Sequence, residues 1–385
     1  MIRKICVVTA TRAEYGLLKP LMELISKSDD LELQVVATGA HLSPEFGLTY
    51  RGIEADGFII NEKVEILLSA DTSSSIVKTM GIAMLGMAEI FSRLNPDLLL
   101  ILGDRYEMLA IASAATIFKI PIVHLHGGEI TEGAYDDAIR HSITKMSHLH
   151  FTSTEEYRNR VIQLGENPEN VFNVGAIGLD NIANMKLLTK EELEENLDVK
   201  FLKYNYQVTF HPETLGELSS SQQFKNLLDA IDIQEDSFFI FTKANADTDG
   251  RIINKMIDEY VVENSHKAKV FDSLGSLRFL SVVKLCDAIV GNSSSGILEA
   301  PSLDTITINI GDRQKGRTQA KSIINVSNSI EDITGAFKLI RDGNFRAKLG
   351  SVTNPYDNGG AANKILKEIL KNKKINTNKS FYNLS

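Results

Sequence analysis

The sequence predicts an α/β protein built from two Rossmann-like domains, each with a doubly wound parallel sheet. The chain has 385 residues, more than one hydrophobic core usually accommodates, so two domains are expected. In each half, short apolar runs of strand length alternate with helical stretches, which is the pattern of successive βαβ units. The predicted division gives residues 1–175, residues 176–365 and a C-terminal tail at residues 366–385, expected to be partly loose beyond residue 370.

In the first half, apolar strands and helices alternate regularly. The predicted strands are Lys4–Val8, Leu31–Thr38, Phe58–Glu62, Asp97–Leu102, Ile120–Leu125, Leu149–Thr152 and Val171–Val174. Helical periodicity lies between them, as at Ile76–Leu94 and Arg105–Phe118. Because parallel strands joined by right-handed crossovers end at the same edge of a sheet, side chains just past these strands are expected to emerge together.

Titratable side chains collect in one βαβ unit between Asn95 and His141. Asp104 and His126 each follow a predicted strand, Glu129 lies in the loop after His126, and Asp136 begins the next helix. Taken singly, Asp104 is equally consistent with a helix N-cap, and Asp136 and Asp137 with first-turn acids favoured by the helix dipole. The set favours a site of proton transfer, since carboxylates and imidazole are common general acids and bases.

The first strand runs into a turn, Thr9–Gly16, that lacks the glycine-rich dinucleotide fingerprint. Arg12 stands in this turn and suggests contact with a phosphate or sugar rather than with a nicotinamide cofactor. His41 follows the second strand at the same predicted edge. We therefore expect no redox cofactor, and Arg12 and His41 are candidate substrate contacts.

The second half repeats the alternation on a sheet of its own. The predicted strands are Tyr206–Phe210, Ser237–Thr242, Ala268–Phe271, Ala288–Val290 and Thr305–Ile308. Polar groups follow three of them: His211, Asn245 and the turn Gly291–Gly296. A Gly/Ser turn that begins a helix presents backbone amides to an anion, and a basic cluster around Arg313 comes next in the chain. These features predict a diphosphate pocket.

Composition restricts the partners and the compartment. The formal net charge is -9, which argues against a nucleic acid or an anionic membrane as partner. The two cysteines, Cys6 and Cys286, each lie inside an apolar run, as expected for buried thiols in a reducing cytoplasm. No signal peptide and no apolar stretch long enough to span a membrane is recognised in the sequence. We expect a cytoplasmic protein without a membrane partner.

Seven motifs resemble those of one known family. They are TATRAEYG (Thr9–Gly16), LGDRYE (Leu102–Glu107), HLHGGE (His124–Glu129), IRHSITK (Ile139–Lys145), FHPET (Phe210–Thr214), GNSSSG (Gly291–Gly296) and IGDRQKGR (Ile310–Arg317). On these motifs the chain resembles the hydrolysing UDP-N-acetylglucosamine 2-epimerases of bacterial sialic-acid biosynthesis, the NeuC type. The resemblance implies a GT-B architecture, with two domains facing across a cleft. It also implies conversion of UDP-GlcNAc and water to N-acetylmannosamine and UDP. We also expect a homodimer or homotetramer.

The resemblance also suggests roles for individual residues. Asp104 and Asp136 resemble the catalytic acids of the family. Non-hydrolysing relatives carry a glutamate where His126 stands, which leaves the second acid/base group open between His126 and Glu129. The candidate substrate-binding residues are Arg12, His41, Arg105, His211, Asn245, Ser293, Ser294, Glu299 and Arg313. No metal is implied.

Three alternatives remain open at the level of sequence. The first is the same reaction on a UDP-2,4-diacetamido-2,4,6-trideoxyhexose, as in legionaminic-acid pathways, which the motifs do not separate from UDP-GlcNAc. The second is a metal site built from His124, His126, Glu129 and His141, because alternate residues of a strand point the same way. The third is a non-catalytic sensor of UDP-sugars, which needs the diphosphate pocket without the acids.

Overall fold

The structure, a computed structural model of the chain, describes residues 2–68, 70, 72–131, 135–213, 218–244, 250–349 and 352–384. The chain divides into two compact units. The first consists of Met1–Glu129, Asp136–Asn181 and Tyr356–Ser385, and the second of Ile130–Tyr135 and Ile182–Pro355. Each unit carries one parallel sheet with helices, which confirms the predicted α/β class with two doubly wound sheets.

The first sheet has seven parallel strands in the order β3-β2-β1-β4-β5-β6-β7. They are β1 (Arg3–Thr9), β2 (Leu31–Thr38), β3 (Glu62–Val64), β4 (Leu98–Leu102), β5 (Ile122–Leu125), β6 (Leu149–Thr152) and β7 (Val171–Asn173). The strand order reverses between β1 and β4, so the segments after these two strands leave the sheet as neighbours. In open α/β sheets, this switch point at the carboxyl edge is where ligands bind.

Helices of the first unit cover both faces of its sheet. They are α1 (Arg12–Ser26), α2 (Tyr50–Ala55), α3 (Ser73–Leu94), α4 (Tyr106–Ile117), α5 (Asp136–Met146) and α6 (Glu155–Gln163). Along β1, Ile5 and Val7 belong to one hydrophobic core while Cys6 and Val8 belong to the core on the other face. Contrary to the expectation from the sequence, α3 is long and apolar enough to cross a membrane by length and composition alone. The face of α3 that contains Met87 packs into the second of these cores.

The second sheet has six parallel strands in the order β10-β9-β8-β11-β12-β13. They are β8 (Tyr204–Thr209), β9 (Ser237–Thr242), β10 (Ala268–Phe271), β11 (Ala288–Gly291), β12 (Ile306–Ile310) and β13 (Ile323–Val326). The strand β13 was not predicted, because its four residues, Ile-Ile-Asn-Val, are few and show no apolar alternation. The switch point of this sheet lies between β8 and β11.

Eight described α-helices lie between residues 179 and 349. They are α7 (Leu179–Asn184), α8 (Lys190–Leu197), α9 (Ser220–Asp232), α10 (Gly250–Glu263), α11 (Gly275–Leu285), α12 (Ser294–Leu298), α13 (Ile330–Arg341) and α14 (Gly343–Leu349). Gly291 ends β11 with φ +129°, and a Cβ there would lie 2.0 Å from the Thr209 carbonyl oxygen. Only glycine therefore allows β11 to end this close to β8.

The last helix, α15 (Ala361–Lys371), belongs to the first unit. The Asp180 carboxylate accepts hydrogen bonds from the backbone amides of Ala361 at 2.9 Å and Ala362 at 2.7 Å. These bonds satisfy amides at the start of α15, and its apolar face packs into the core that also contains α1. The division therefore differs from the predicted one, in which the second domain continued to residue 365.

The C-terminal tail is bonded to the first unit rather than loose. Buried Glu166 accepts hydrogen bonds from Lys145 Nζ at 2.7 Å and forms an ion pair with Lys379 Nζ at 2.6 Å. Burial raises the pKa of Glu166, but His150 and the two lysines outweigh this effect and bring the pKa to about 2. The Tyr382 amide also donates to the Gly165 carbonyl oxygen at 2.9 Å. The expectation of a partly loose tail was wrong. The residue that binds the tail, Glu166, lies more than 200 residues earlier in the sequence, so the local sequence of the tail does not reveal the contact.

Candidate active site

The turn after β1 is closed by a capping box. Thr11 accepts a hydrogen bond from the Glu14 amide at 3.3 Å, and Glu14 Oε2 accepts in return from the amides of Ala10 at 2.8 Å and Thr11 at 3.1 Å. Two amides beside the helix start are thus occupied by the protein's own carboxylate. In a dinucleotide-binding turn, backbone amides at this place bind the pyrophosphate, whereas here the amides of Ala10 and Thr11 bind Glu14. Arg12 is the first residue of α1, and its side chain is exposed.

His41 lies three residues past the end of β2, in the short helical turn Gly39–Leu42, and is fully buried. Its Nε2 is 3.0 Å from Thr9 Oγ1, and its Nδ1 is 2.8 Å from Thr49 Oγ1. Burial lowers the pKa of His41 to about 4, so the ring is neutral near pH 7. Because the residue has no exposed surface and both ring nitrogens contact threonine hydroxyls, the structure favours a structural role for His41 over the predicted substrate contact.

Asp104 leaves the first sheet just after β4, as predicted, and forms an ion pair with Arg140 of α5. The Arg140 side chain is 1% exposed, whereas that of Asp104 is 27% exposed. Arg140 Nη1 also donates to the Glu129 carbonyl oxygen at 2.9 Å and lies 3.4 Å from Asp137 Oδ1. Asp136, partly buried, begins the same first turn of α5. A buried cation thus anchors Asp104 while solvent still reaches the carboxylate.

Arg105 lies within a cluster of acids next to Asp104. Its Nη2 is 3.1 Å from Oε1 of fully buried Glu107. Burial raises the pKa of Glu14 to about 7, while nearby Arg105 lowers it and nearby Glu107 raises it. Arg105 therefore supplies positive charge to two buried carboxylates at the β1–β4 switch point.

His124 is the first histidine of the HLHGGE motif, and it is fully buried. Its Nε2 donates to the Gly103 carbonyl oxygen at 2.7 Å, and its Nδ1 is 3.1 Å from Thr144 Oγ1. Burial lowers the pKa of His124 to about 3. With both nitrogens occupied, His124 holds β5 to the turn after β4. Among the described residues, no group of three or more His, Cys, Asp or Glu side chains is arranged to hold a metal, so the alternative metal site is not assembled there.

His126 and Glu129 are in direct contact. His126 Nδ1 is 3.1 Å from Glu129 Oε1, and His126 Nε2 accepts from the Ile177 amide at 3.4 Å. Glu129 Oε1 also accepts from Ser153 Oγ at 3.1 Å. The carboxylate and the imidazole therefore form one hydrogen-bonded pair. The sequence left the second acid/base group open between His126 and Glu129, and the contact raises the question of what each of the two contributes.

In the second unit, Asn292 organises the switch point between β8 and β11. It is fully buried, its Oδ1 accepts from the His211 amide at 2.7 Å, and its Nδ2 donates to the His211 carbonyl oxygen at 2.8 Å. The Asn292 carbonyl oxygen accepts from Arg313 Nη1 at 3.2 Å and from Gln314 Nε2 at 2.8 Å. Asn292 thus brings His211 and Arg313, both predicted contacts, to one edge of the second sheet.

The basic loop after β12 is held by Glu213. Its Oε1 accepts from the amides of Asp312 at 2.8 Å and Arg313 at 3.0 Å. Burial raises the pKa of Glu213, although these two amides oppose the effect. A Cβ at Gly311 would lie 2.2 Å from Glu213 Oε1, so the loop passes directly over the carboxylate. This contact fixes the backbone from which the Arg313 side chain emerges.

The remaining predicted contacts of the second unit are Ser293, Ser294, Glu299 and Asn245. Ser293 caps the short helix α12 by accepting from the Ser295 amide at 3.4 Å, and Ser294 is the first residue of α12. Glu299 follows α12, and burial raises the pKa of its carboxyl group. Ser293 and Ser294 are partly exposed beside Asn292. Asn245 lies outside the described residues.

A sequence profile of the family described as UDP-N-acetylglucosamine 2-epimerase matches residues 23–370. The chain belongs to this family. It is 49% identical over 384 residues, 99% of each chain, to a GDP/UDP-N,N'-diacetylbacillosamine 2-epimerase (hydrolyzing) of Campylobacter jejuni. It is 40% identical to polysialic acid biosynthesis protein P7 of Escherichia coli over 99% of this chain and 98% of that one.

Solved structures of UDP-N-acetylglucosamine 2-epimerases have the same GT-B fold. The Neisseria meningitidis enzyme bound to UDP-GlcNAc superposes with a TM-score of 0.81 at 19% identity, covering 96% of this chain and 100% of that one. The Staphylococcus aureus MnaA–UDP structure superposes with a TM-score of 0.80 at 17% identity, covering 100% of both chains. The predicted GT-B fold class is thereby confirmed.

Four residues of this UDP-N-acetylglucosamine 2-epimerase family member were not predicted from the sequence, although they hold predicted site residues in position. They are Arg140, Ser153, Asn292 and Glu213. Arg140 did leave a signal, because it shares one buried helix face with Ile143 and Thr144, where an arginine needs anionic partners. Ser153 left none, because its contact with Glu129 spans 24 residues.

Proposed function

We propose that this family member hydrolyses a nucleotide-linked 2,4-diacetamido sugar and releases the nucleoside diphosphate and the free sugar inverted at C2. Two relatives named as hydrolysing diacetylbacillosamine epimerases support this substrate. They are the Campylobacter jejuni protein at 49% identity and a Legionella pneumophila protein at 37% identity over 85% of each chain. The likeness favours the substrate that ranked second in the sequence analysis.

The chemistry must begin at the anomeric carbon. The C2 hydrogen of such a sugar is not next to a carbonyl carbon of the ring, so the C1–oxygen bond breaks first and the diphosphate leaves with the bonding electrons. The C2 proton of the resulting oxocarbenium-like species passes to a base, and its electron pair forms the C1=C2 bond of a 2-acetamidoglucal. Water oxygen then adds to C1, and a proton reaches C2 from the opposite face.

These steps need at least two groups that exchange protons and one that binds the leaving diphosphate. We assign the proton transfers to Asp104, Asp136 and His126. We assign nucleotide binding to a second set, namely Arg12, Arg105, His211, Ser293, Ser294, Glu299, Arg313 and Asn245. The feature that carries the proposal is Asp104, which a buried arginine anchors at the switch point while solvent reaches it.

Incubation of the purified protein with sugar nucleotides in deuterated water tests the proposal. We expect UDP-N,N'-diacetylbacillosamine to release UDP and a free sugar carrying deuterium at C2, with the GDP-linked sugar as a parallel sample. Asp104→Asn is expected to lower kcat by about 10²- to 10⁴-fold. Release of an unlabelled sugar would count against elimination through the glucal. Binding of every sugar nucleotide without turnover would favour the sensor.

A second candidate is conversion of UDP-GlcNAc to N-acetylmannosamine for sialic-acid biosynthesis. A UDP-N-acetylglucosamine 2-epimerase of Neisseria meningitidis serogroup B that is 30% identical over 87% of each chain supports it. The same incubation separates the candidates, because each substrate yields a different free sugar. A kcat/KM at least tenfold higher for UDP-GlcNAc would replace our first candidate with this one.

A further inference from the structure

The backbone of His126 adopts a conformation that few side chains tolerate. Its φ is +64°, in the left-handed region, and its amide donates to the Phe151 carbonyl oxygen at 2.8 Å. The following glycines are tightly enclosed: a Cβ at Gly127 would lie 2.9 Å from Thr144 Oγ1, and one at Gly128 would lie 2.4 Å from the Tyr157 carbonyl oxygen. Such conformations persist only where the surroundings impose them, and they cluster at active sites.

The contacts of the His126 ring select one tautomer. The Ile177 amide is only a donor, so Nε2, at 3.4 Å, accepts and carries no hydrogen. The hydrogen of the neutral ring is then on Nδ1, which donates to Glu129 Oε1 at 3.1 Å. No other protonation state satisfies both contacts. The resting ring is therefore a base whose accepting atom is Nε2.

Glu129 is more enclosed than the ring it contacts. The Glu129 side chain is 3% exposed, against 11% for that of His126. Glu129 Oε1 also accepts a hydrogen bond from buried Ser153, and the Glu129 carbonyl oxygen accepts one from buried Arg140. The backbone of Glu129 is thus held by α5, and its carboxylate by the segment after β6.

We propose that Glu129 is a positioning residue: with Ser153 it holds the His126 imidazole with its hydrogen on Nδ1, so that Nε2 accepts the proton in the epimerisation. This inference rests on the proposed function. The incoming proton binds Nε2 and breaks the contact with the Ile177 amide. The Glu129 carboxylate keeps the Nδ1 hydrogen bond and compensates the positive charge that the ring gains. Glu129 itself does not exchange protons with the substrate.

A double-mutant cycle on kcat tests whether Glu129 acts through His126. Glu129→Ala is expected to lower kcat about 10²-fold by misplacing the ring, with KM changed by less than about threefold. Glu129→Gln keeps an acceptor oxygen for Nδ1 but loses the compensating charge, so its kcat is expected to lie between those of Glu129→Ala and wild type. In a His126→Asn background, Glu129→Ala is expected to cause no further loss beyond about twofold. Glu169→Gln, at an exposed carboxylate of the same unit, serves as the control.

Two kinetic outcomes overturn the proposal: Glu129→Gln as inactive as Glu129→Ala, or losses that multiply in the double mutant. Nitrogen NMR of ¹⁵N-histidine-labelled protein adds a test that needs no turnover. We expect the Nδ1–H tautomer for His126 in wild type and Glu129→Gln, and mixed tautomers in Glu129→Ala. An Nε2–H tautomer in wild type refutes the positioning role even if the enzyme epimerises its substrate. Absence of any turnover refutes the proposed function and leaves the tautomer result standing.

Discussion

Replacement of Arg140 by methionine tests the anchor of Asp104 most directly. The change removes the ion pair with Asp104 and the hydrogen bond to the Glu129 carbonyl oxygen, while the methionine refills most of the apolar volume. A buried carbonyl oxygen without its donor costs about 1–3 kcal/mol. The ion pair adds about 1 kcal/mol, because the partly exposed Asp104 carboxylate regains water.

The lost hydrogen bond and the lost ion pair together cost about 2–4 kcal/mol, and burial of the apolar methionine side chain offsets part of this cost. The free energy of unfolding should therefore fall by about 2–3 kcal/mol. At about 2–4 °C per kcal/mol for a unit of this size, Tm should fall by roughly 4–12 °C. Because Asp104 loses its fixed position, kcat should also fall by about 10²-fold. Arg140→Lys keeps the charge but not the forked geometry, so its values should lie between those of methionine and wild type.

Differential scanning calorimetry and a UDP-release assay on the same preparations measure both effects. Arg93→Met is the matched control, since Arg93 forms an exposed ion pair with Glu62 in the same unit and should change Tm by less than about 2 °C. If Arg140→Met matched wild type in both Tm and kcat, Asp104 would not depend on the buried cation and the reasoning would be refuted.

Three further predictions concern the second sheet, the buried acid of the first turn and the tail. Gly291→Ala should cost about 3 kcal/mol or more in denaturant unfolding, because its Cβ meets the Thr209 carbonyl oxygen at 2.0 Å with φ at +129°. Burial raises the pKa of Glu14 from 4.5 to about 7, so the folded state retains this proton and wild-type stability falls as pH rises through that window. Glu14→Gln removes the titration and should gain stability relative to wild type by up to about 3 kcal/mol between about pH 5 and pH 8. Glu166→Gln should raise the rate of proteolysis within residues 371–384 about tenfold, because it weakens the ion pair between Glu166 and Lys379 that holds the tail.

Each of these variants has a control that changes the same residue type elsewhere. Gly335→Ala adds a Cβ on α13 with nothing within 4 Å, so it should be neutral or slightly stabilising. Glu263→Gln and Glu169→Gln replace exposed carboxylates and should leave the pH profile and the proteolysis pattern unchanged. The predictions fail if Gly291→Ala unfolds like wild type, if the Glu14→Gln difference is independent of pH, or if Glu166→Gln is cleaved no faster than wild type.

The sequence by itself determined the two sheets and most of their strands. Buried parallel strands are continuous apolar runs, and their signal is local. The positions of Asp104 and His126 just past strand ends followed from the same local signal, because parallel strands share a carboxyl edge. The third strand was predicted at Phe58–Glu62, but it spans Glu62–Val64. The prediction was displaced because a short edge strand carries little apolar pattern.

Only the tertiary structure decided which polar groups support one another. His41 resembled a ligand contact in the sequence, but Thr9 and Thr49 occupy both of its nitrogens. Asp180 meets the start of α15 across 181 residues, and no local pattern encodes such a partner. The pairing of His126 with Glu129 is visible in the sequence as spacing alone. The direction of the ring, and hence which nitrogen carries the hydrogen, depends on the left-handed backbone at His126 and on the amide of Ile177, which lies 51 residues away in the sequence.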